Sequence, residues 1–178
     1  MNASRVLVVQ HRIIGALFDD VDRGPRRFQR VRALSRLAEE LVAHIAAEEA
    51  VFYPVARSLA RRERRFPPSV TRPGRQHVRI RMLLRRVLEV RVGDATFSGA
   101  LTELRAAFAR HAWAQESALF PLVEDALGEE QLKTLDSEIL AARPAVWLVT
   151  TEGGAFDSSL EEWGVRSRIS LPAPAARG

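Results

Sequence analysis

His44-Ile45-Ala46-Ala47-Glu48-Glu49-Ala50-Val51-Phe52-Tyr53-Pro54 has an echo in His111-Ala112-Trp113-Ala114-Gln115-Glu116-Ser117-Ala118-Leu119-Phe120-Pro121. Both stretches run from a histidine to a proline ten positions on, with a carboxylate about one helical turn after the histidine and an aromatic residue just before the proline. The chain has four histidines, and the other two, His11 and His77, continue the spacing: 44 − 11 = 33, 77 − 44 = 33 and 111 − 77 = 34. One histidine per helix-plus-loop length, two of them followed by Glu, is how a four-helix bundle builds a dinuclear metal site.

The chemistry follows from helix geometry. Residues i and i+4 share a face, so His44 and Glu48 point into the same space and offer an imidazole and a carboxylate from one helix. His11 and His77 each add an imidazole. The last of the four helices offers His111 and, at i+5, Glu116, rotated roughly 140° from the histidine, which fits a common site only where the helix is locally widened. Gln115 holds the i+4 position there, and an amide is a much weaker ligand than a carboxylate. Glu49, at i+5 from His44, is a further option. The chain has no cysteine, so disulfides, thiolate sites and cysteine nucleophiles are excluded. A metal here is held by imidazole and carboxylate, which suits iron, zinc or manganese.

The 178 residues suffice for one domain with a substantial core. Leu7, Val8, His11, Ile14, Leu17 and Phe18 make a helical stripe over about 4–20. Asp22-Arg23-Gly24-Pro25 breaks it. A long helix is expected over 28–65, kinked at Pro54 because proline lacks a backbone donor. Helices are further expected over 74–92, 97–127 (capped by Asp94 or Thr96 and ended by Gly128) and 129–142. The expected fold is all-α: an up-down-up-down four-helix bundle over 1–143, with a short fifth helix. An irregular, partly disordered C-terminal extension follows over 144–178, Pro/Ala-rich from Leu171.

The arginines are unevenly placed. Between Arg57 and Arg91 twelve arginines face two acids, 12 − 2 = +10, and between Glu116 and Glu162 two basic residues face eleven acids, 2 − 11 = −9. No nucleic-acid motif interleaves with the basic run, so arginines that neutralise the acidic part of this chain or of a neighbouring subunit are the expectation, not a nucleic-acid face. A protein partner or a homo-oligomer is compatible with this pattern. The short apolar run Val6–Val9 is too brief for a signal-peptide core, and no run reaches the length of a membrane span, which points to a soluble cytoplasmic protein with no membrane partner.

Four pieces in order resemble the hemerythrin-like, HHE cation-binding domain: Gln10-His11-Arg12-Ile13-Ile14, His44-x-x-x-Glu48 running to Phe52-Tyr53-Pro54, Gln76-His77-Val78-Arg79-Ile80-Arg81, and His111 running to Leu119-Phe120-Pro121. The resemblance covers about 4–142. It implies a left-handed bundle around two non-haem irons joined by two carboxylates and an oxo or hydroxo bridge. His11, His44, His77 and His111 would be terminal ligands, Glu48 one bridge and Glu116 the second, with Gln115 and Glu49 as alternatives. Oxygen carriers of the family have His-x3-His in the third helix; here the second position is Arg81. Fewer histidines leave more coordination positions open, which favours binding and turning over O2, NO or peroxide over simple carriage. Whether the protein is an enzyme stays open. The competing reading is a metal-free or zinc-holding helical module that interacts through its arginine-rich face.

Overall fold

The computed structural model describes residues 5–66 and 74–143. All regular structure in them is helical: α1 Arg5–Arg23, α2 Arg27–Ala47, α3 Tyr53–Arg62, α4 Gly74–Glu89, α5 Phe97–Ala114, α6 Phe120–Ala126 and α7 Glu129–Ala141. A π turn at Glu48–Phe52 joins α2 to α3, and a second at Gln115–Leu119 joins α5 to α6. The described chain is therefore a helical bundle of five rods, with α1 packed along α2, α4 along α5, and α1 also against α5.

Each rod buries one stripe. On α1 this is Leu7, His11, Ile14, Leu17, Phe18 and Val21; on α4 it is His77, Ile80, Leu84, Val87 and Leu88. On α5 it runs Phe97, Ala100, Leu101, Leu104, Ala107, Phe108 and His111. These are the i, i+3, i+4, i+7 positions of an amphipathic helix, and each histidine lies within its stripe. The α1–α2 link is tight. Gly24 N–H bonds Asp20 O at 3.0 Å, and Arg30 Nε donates to Val21 O at 2.8 Å. A Cβ at Gly24 would lie 2.7 Å from Arg30 Cγ and 2.9 Å from Asp20 O, so only glycine fits there.

The expected helices are present, with three differences. The 28–65 helix is α2, π turn and α3 in succession, so a widened turn precedes Pro54. Proline then falls in the first turn of α3, where its missing N–H costs little. The same holds for Pro121 in α6. Thr96 stands at the N-cap of α5 without a side-chain cap bond. Gly128 is the N-cap of α7, where its N–H bonds Gln131 Oε1 at 3.0 Å. The extension expected over 144–178 lies outside the described residues.

Ion pairs link the rods, and one of them, Arg65 to Asp125, joins the basic stretch to the acidic one. Arg65 bridges Glu63 and Asp125, Arg86 reaches Glu103, and Arg143 reaches Glu40. Among the described residues no helix is long and apolar enough to cross a membrane.

Candidate metal centre

The four histidines meet in the interior. His44, His77 and His111 are fully buried, His11 is 5 % exposed, and Glu48 among them is fully buried. His44 Nε2 lies 3.3 Å from Glu48 Oε1, His111 Nε2 3.3 Å from Glu48 Oε2, and His77 Nε2 3.0 Å from Glu48 Oε2. Ligand atoms of His11, His44, Glu48 and His111 all lie within 4.8 Å of one another, close enough to hold one cation.

The outer ring nitrogens are held in a closed circuit. Gln10 of α1 accepts from His44 Nδ1 at 2.8 Å, and Glu49 of the first π turn from His77 Nδ1 at 2.8 Å. Gln76 of α4 accepts from His111 Nδ1 at 3.2 Å, and Glu116 of the second π turn from His11 Nδ1 at 2.6 Å. Each histidine-bearing rod thus supplies one imidazole and the acceptor for its neighbour's imidazole. An amide oxygen or a carboxylate can only accept, so each Nδ1 carries the proton. In a neutral ring the Nε2 lone pair then faces inward. The Nε2 atoms of His11, His44 and His111 are buried without a hydrogen-bond partner. Lone pairs that converge on a carboxylate with no proton between them are costly unless a cation fills the space.

Electrostatics agree with that picture. Burial lowers the pKa of His44 to about 3 and also lowers His11, so both rings are neutral at ordinary pH. Burial pushes Glu48 up, but the surrounding imidazoles outweigh it and hold the carboxyl well below its usual range. For His77 burial opposes the charge, yet hydrogen bonds to Glu48 and Glu49 raise the ring to about 8. Glu49 is desolvated, but bonds from His77 and from Arg81 (Arg81 Nη2 to Glu49 Oε2, 2.7 Å) lower it to about 2. Arg81 therefore pairs with Glu49 on the outer side of His77.

Of the candidates for a second bridging carboxylate, neither Glu116 nor Glu49 is among the converging atoms; each binds the outer nitrogen of a histidine on a neighbouring rod. The i+5 rotation sends them there. Gln115 does point inward, and its Nε2 donates to Glu48 Oε1 at 2.7 Å and to the Tyr53 hydroxyl at 3.0 Å. Burial raises Tyr53, so it remains a neutral phenol. Gln10 and Gln76 went unnoticed as acceptors, although the dipeptides Gln10-His11 and Gln76-His77 repeat in the sequence.

The profile of the hemerythrin HHE cation binding domain matches residues 2–123, more than half of the 178. The chain belongs to the hemerythrin HHE cation-binding family. Within the hemerythrin match lie all four histidines, Glu48 and both π turns. Neither the comparison with curated proteins nor that with solved structures returns a match.

Proposed function

We propose that this chain is a non-haem iron protein that binds or reacts with O2, NO or peroxide at its buried histidine–carboxylate centre. One observation carries the reading: His11, His44 and His111 gather unpartnered Nε2 atoms around the fully buried Glu48. The donor set is imidazole and carboxylate without sulfur, which suits iron, and the family binds cations. His11, His44, His111 and Glu48 would hold the ion, and bound iron would supply Lewis acidity and redox change.

The chain's own residues prepare that place. Gln10, Gln76 and Glu116 fix three ring tautomers and orientations. Phe108 and Phe120 pack on His11 with ring centroids 5.6 and 5.9 Å away, and Phe108 also meets His44 at 6.0 Å, which keeps bulk water from those rings. Glu116, with its side chain 42 % exposed, joins the His11 Nδ1 proton to solvent. In the same reading residues 1–143 form the domain. Its four histidine-bearing rods run up-down-up-down, as the short links from α1 to α2 and from α4 to α5 favour.

Metal analysis with an absorption spectrum on one sample tests this. Protein from iron-supplemented cells is expected to retain iron and to show absorption that changes on adding NO or peroxide, and Glu48→Ala is expected to abolish loading. Zinc alone, or no metal after reconstitution, would overturn it and leave the helical interaction module as the reading.

A further inference from the structure

We infer that the centre holds one cation, on His11, His44, His111 and Glu48, and that Gln115 is the residue that keeps it from holding two. The inference rests on the iron reading above and concerns the number of ions.

The circuit of outer acceptors exposes an internal pseudo-symmetry. Gln10-His11 corresponds to Gln76-His77, His44 to His111, and the i+5 acceptor Glu49 to the i+5 acceptor Glu116. Both halves place a π turn at the residue four after the histidine. Under this correspondence the mate of Glu48 is Gln115. The histidines, their outer acceptors and the π turns match in the two halves, while the inward-pointing group is a carboxylate in one and an amide in the other.

That difference removes a charge and a ligand together. Two divalent ions over one carboxylate would leave two uncompensated positive charges in a fully buried space even with a hydroxide bound, a costly arrangement. Glu49 and Glu116 cannot make up the deficit from where they stand, because each is bonded to an outer histidine nitrogen and Glu49 is also paired with Arg81. Glu48 itself is partly committed. Its Oε1 accepts from Gln115 Nε2 and its Oε2 from His77 Nε2. His77 is thus a positioning residue. Carboxylates stand on both its ring nitrogens, and it meets the same Glu48 oxygen as His111 while lying outside the compact donor group.

The test is the stoichiometry of anaerobic Fe(II) uptake by the full chain, measured as iron per chain after gel filtration, with Co(II) absorption as a separate report on coordination. Wild type is expected to saturate at one equivalent. His77→Gln is expected to weaken binding about 10- to 100-fold while still saturating at one. Gln115→Glu, which restores the carboxylate the pseudo-symmetry calls for, is expected to take a second equivalent and to perturb the Co(II) spectrum again at the second addition. Two equivalents in wild type would overturn the inference and leave the iron reading standing. No uptake of Fe(II) or Co(II) by wild type would overturn both. A Gln115→Glu variant that stays at one would show that Gln115 does not set the count. The wild-type number decides the first point whether or not the variants fold.

Discussion

Whether an imidazole can donate to a cation depends on which of its nitrogens holds the proton, and here that is settled by residues that never touch the centre. Gln10 accepts from the buried His44, and Gln10→Leu would strand that N–H at a cost of about 1–3 kcal/mol. The ring would also lose its orientation, so Fe(II) or Zn(II) affinity should fall about 10- to 100-fold in a chelator competition, whereas Gln10→Glu keeps the acceptor and should bind at least as tightly as wild type. Equal affinity for the leucine variant would refute the positioning role. Glu116 is a sharper case, because the sequence offered it as a ligand. Its carboxylate stands on His11 Nδ1, so Glu116→Gln, which still accepts, should leave the metal stoichiometry unchanged and Glu116→Ala should lower only affinity. A ligand role predicts the loss of bound metal from both variants. The histidines were legible because they sit in apolar stripes at even spacing. Their acceptors were not, because each is bonded across to another rod and no local pattern announces a partner 34, 28, 35 or 105 residues away.

Among the elements, the π turns reconcile two demands that the sequence shows only as a conflict. An i+4 residue that points into the centre and an i+5 residue that bonds a histidine on another rod need side chains that leave the helix in different directions. The turns at Glu48–Phe52 and Gln115–Leu119 begin at the inward residue and send the next one sideways. Periodicity reports that an apolar stripe continues and cannot register one widened turn within it, so the first stretch is expected to kink at Pro54 and a widened turn enters only as the condition for Glu116 to face the site. The short α7 docks beside the first π turn through Leu135 and Ile139, and its Asp136 accepts from Val6 N–H in the first turn of α1. That contact meets one of the donors a helix start leaves open, but Asp136 Oδ1 is buried without a hydrogen-bond partner. Burial accordingly raises the Asp136 pKa, with the nearby Glu124 adding to it. The sign follows by linkage. The folded state holds the proton more tightly, so stability from this group is greatest below its ordinary value of 3.8 and declines as pH rises through the folded value. Asp136→Asn keeps an acceptor and removes the charge. It should therefore be more stable than wild type at pH 7 in urea unfolding, with the gap shrinking near pH 4. A gap of the same size at both pH values would contradict the assignment.

At the scale of the molecule the centre lies between two apolar cores. One gathers Ile14, Leu41, Ile80 and Leu104 toward the α1–α2 turn; the other gathers Leu7, Phe52, Phe120 and Ile139 toward α7. The all-helical fold and its five rods could be read from the stripes and their breakers, since each rod's register is a local property. The division of the core could not, because it depends on four polar residues from different rods meeting at one level. Without a cation that level is a weak layer. It buries an ionised carboxylate and several lone pairs that oppose one another, and the apolar packing on either side must offset them. Metal should therefore act on the stability of the whole bundle. Free metal at about 100 times its dissociation constant adds roughly 2.7 kcal/mol, which for a chain of this size raises the melting temperature by about 5–10 °C. A strong chelator should reverse the rise. Glu48→Gln should separate the two effects. It loses the charge-assisted bond from His77, so the metal-free variant should melt below metal-free wild type, and it removes the only carboxylate among the converging donors, so added metal should leave its melting temperature unchanged. Calorimetry of both proteins with and without metal checks this. A metal-induced rise in Glu48→Gln as large as in wild type would mean that the stabilising cation binds somewhere other than among these histidines.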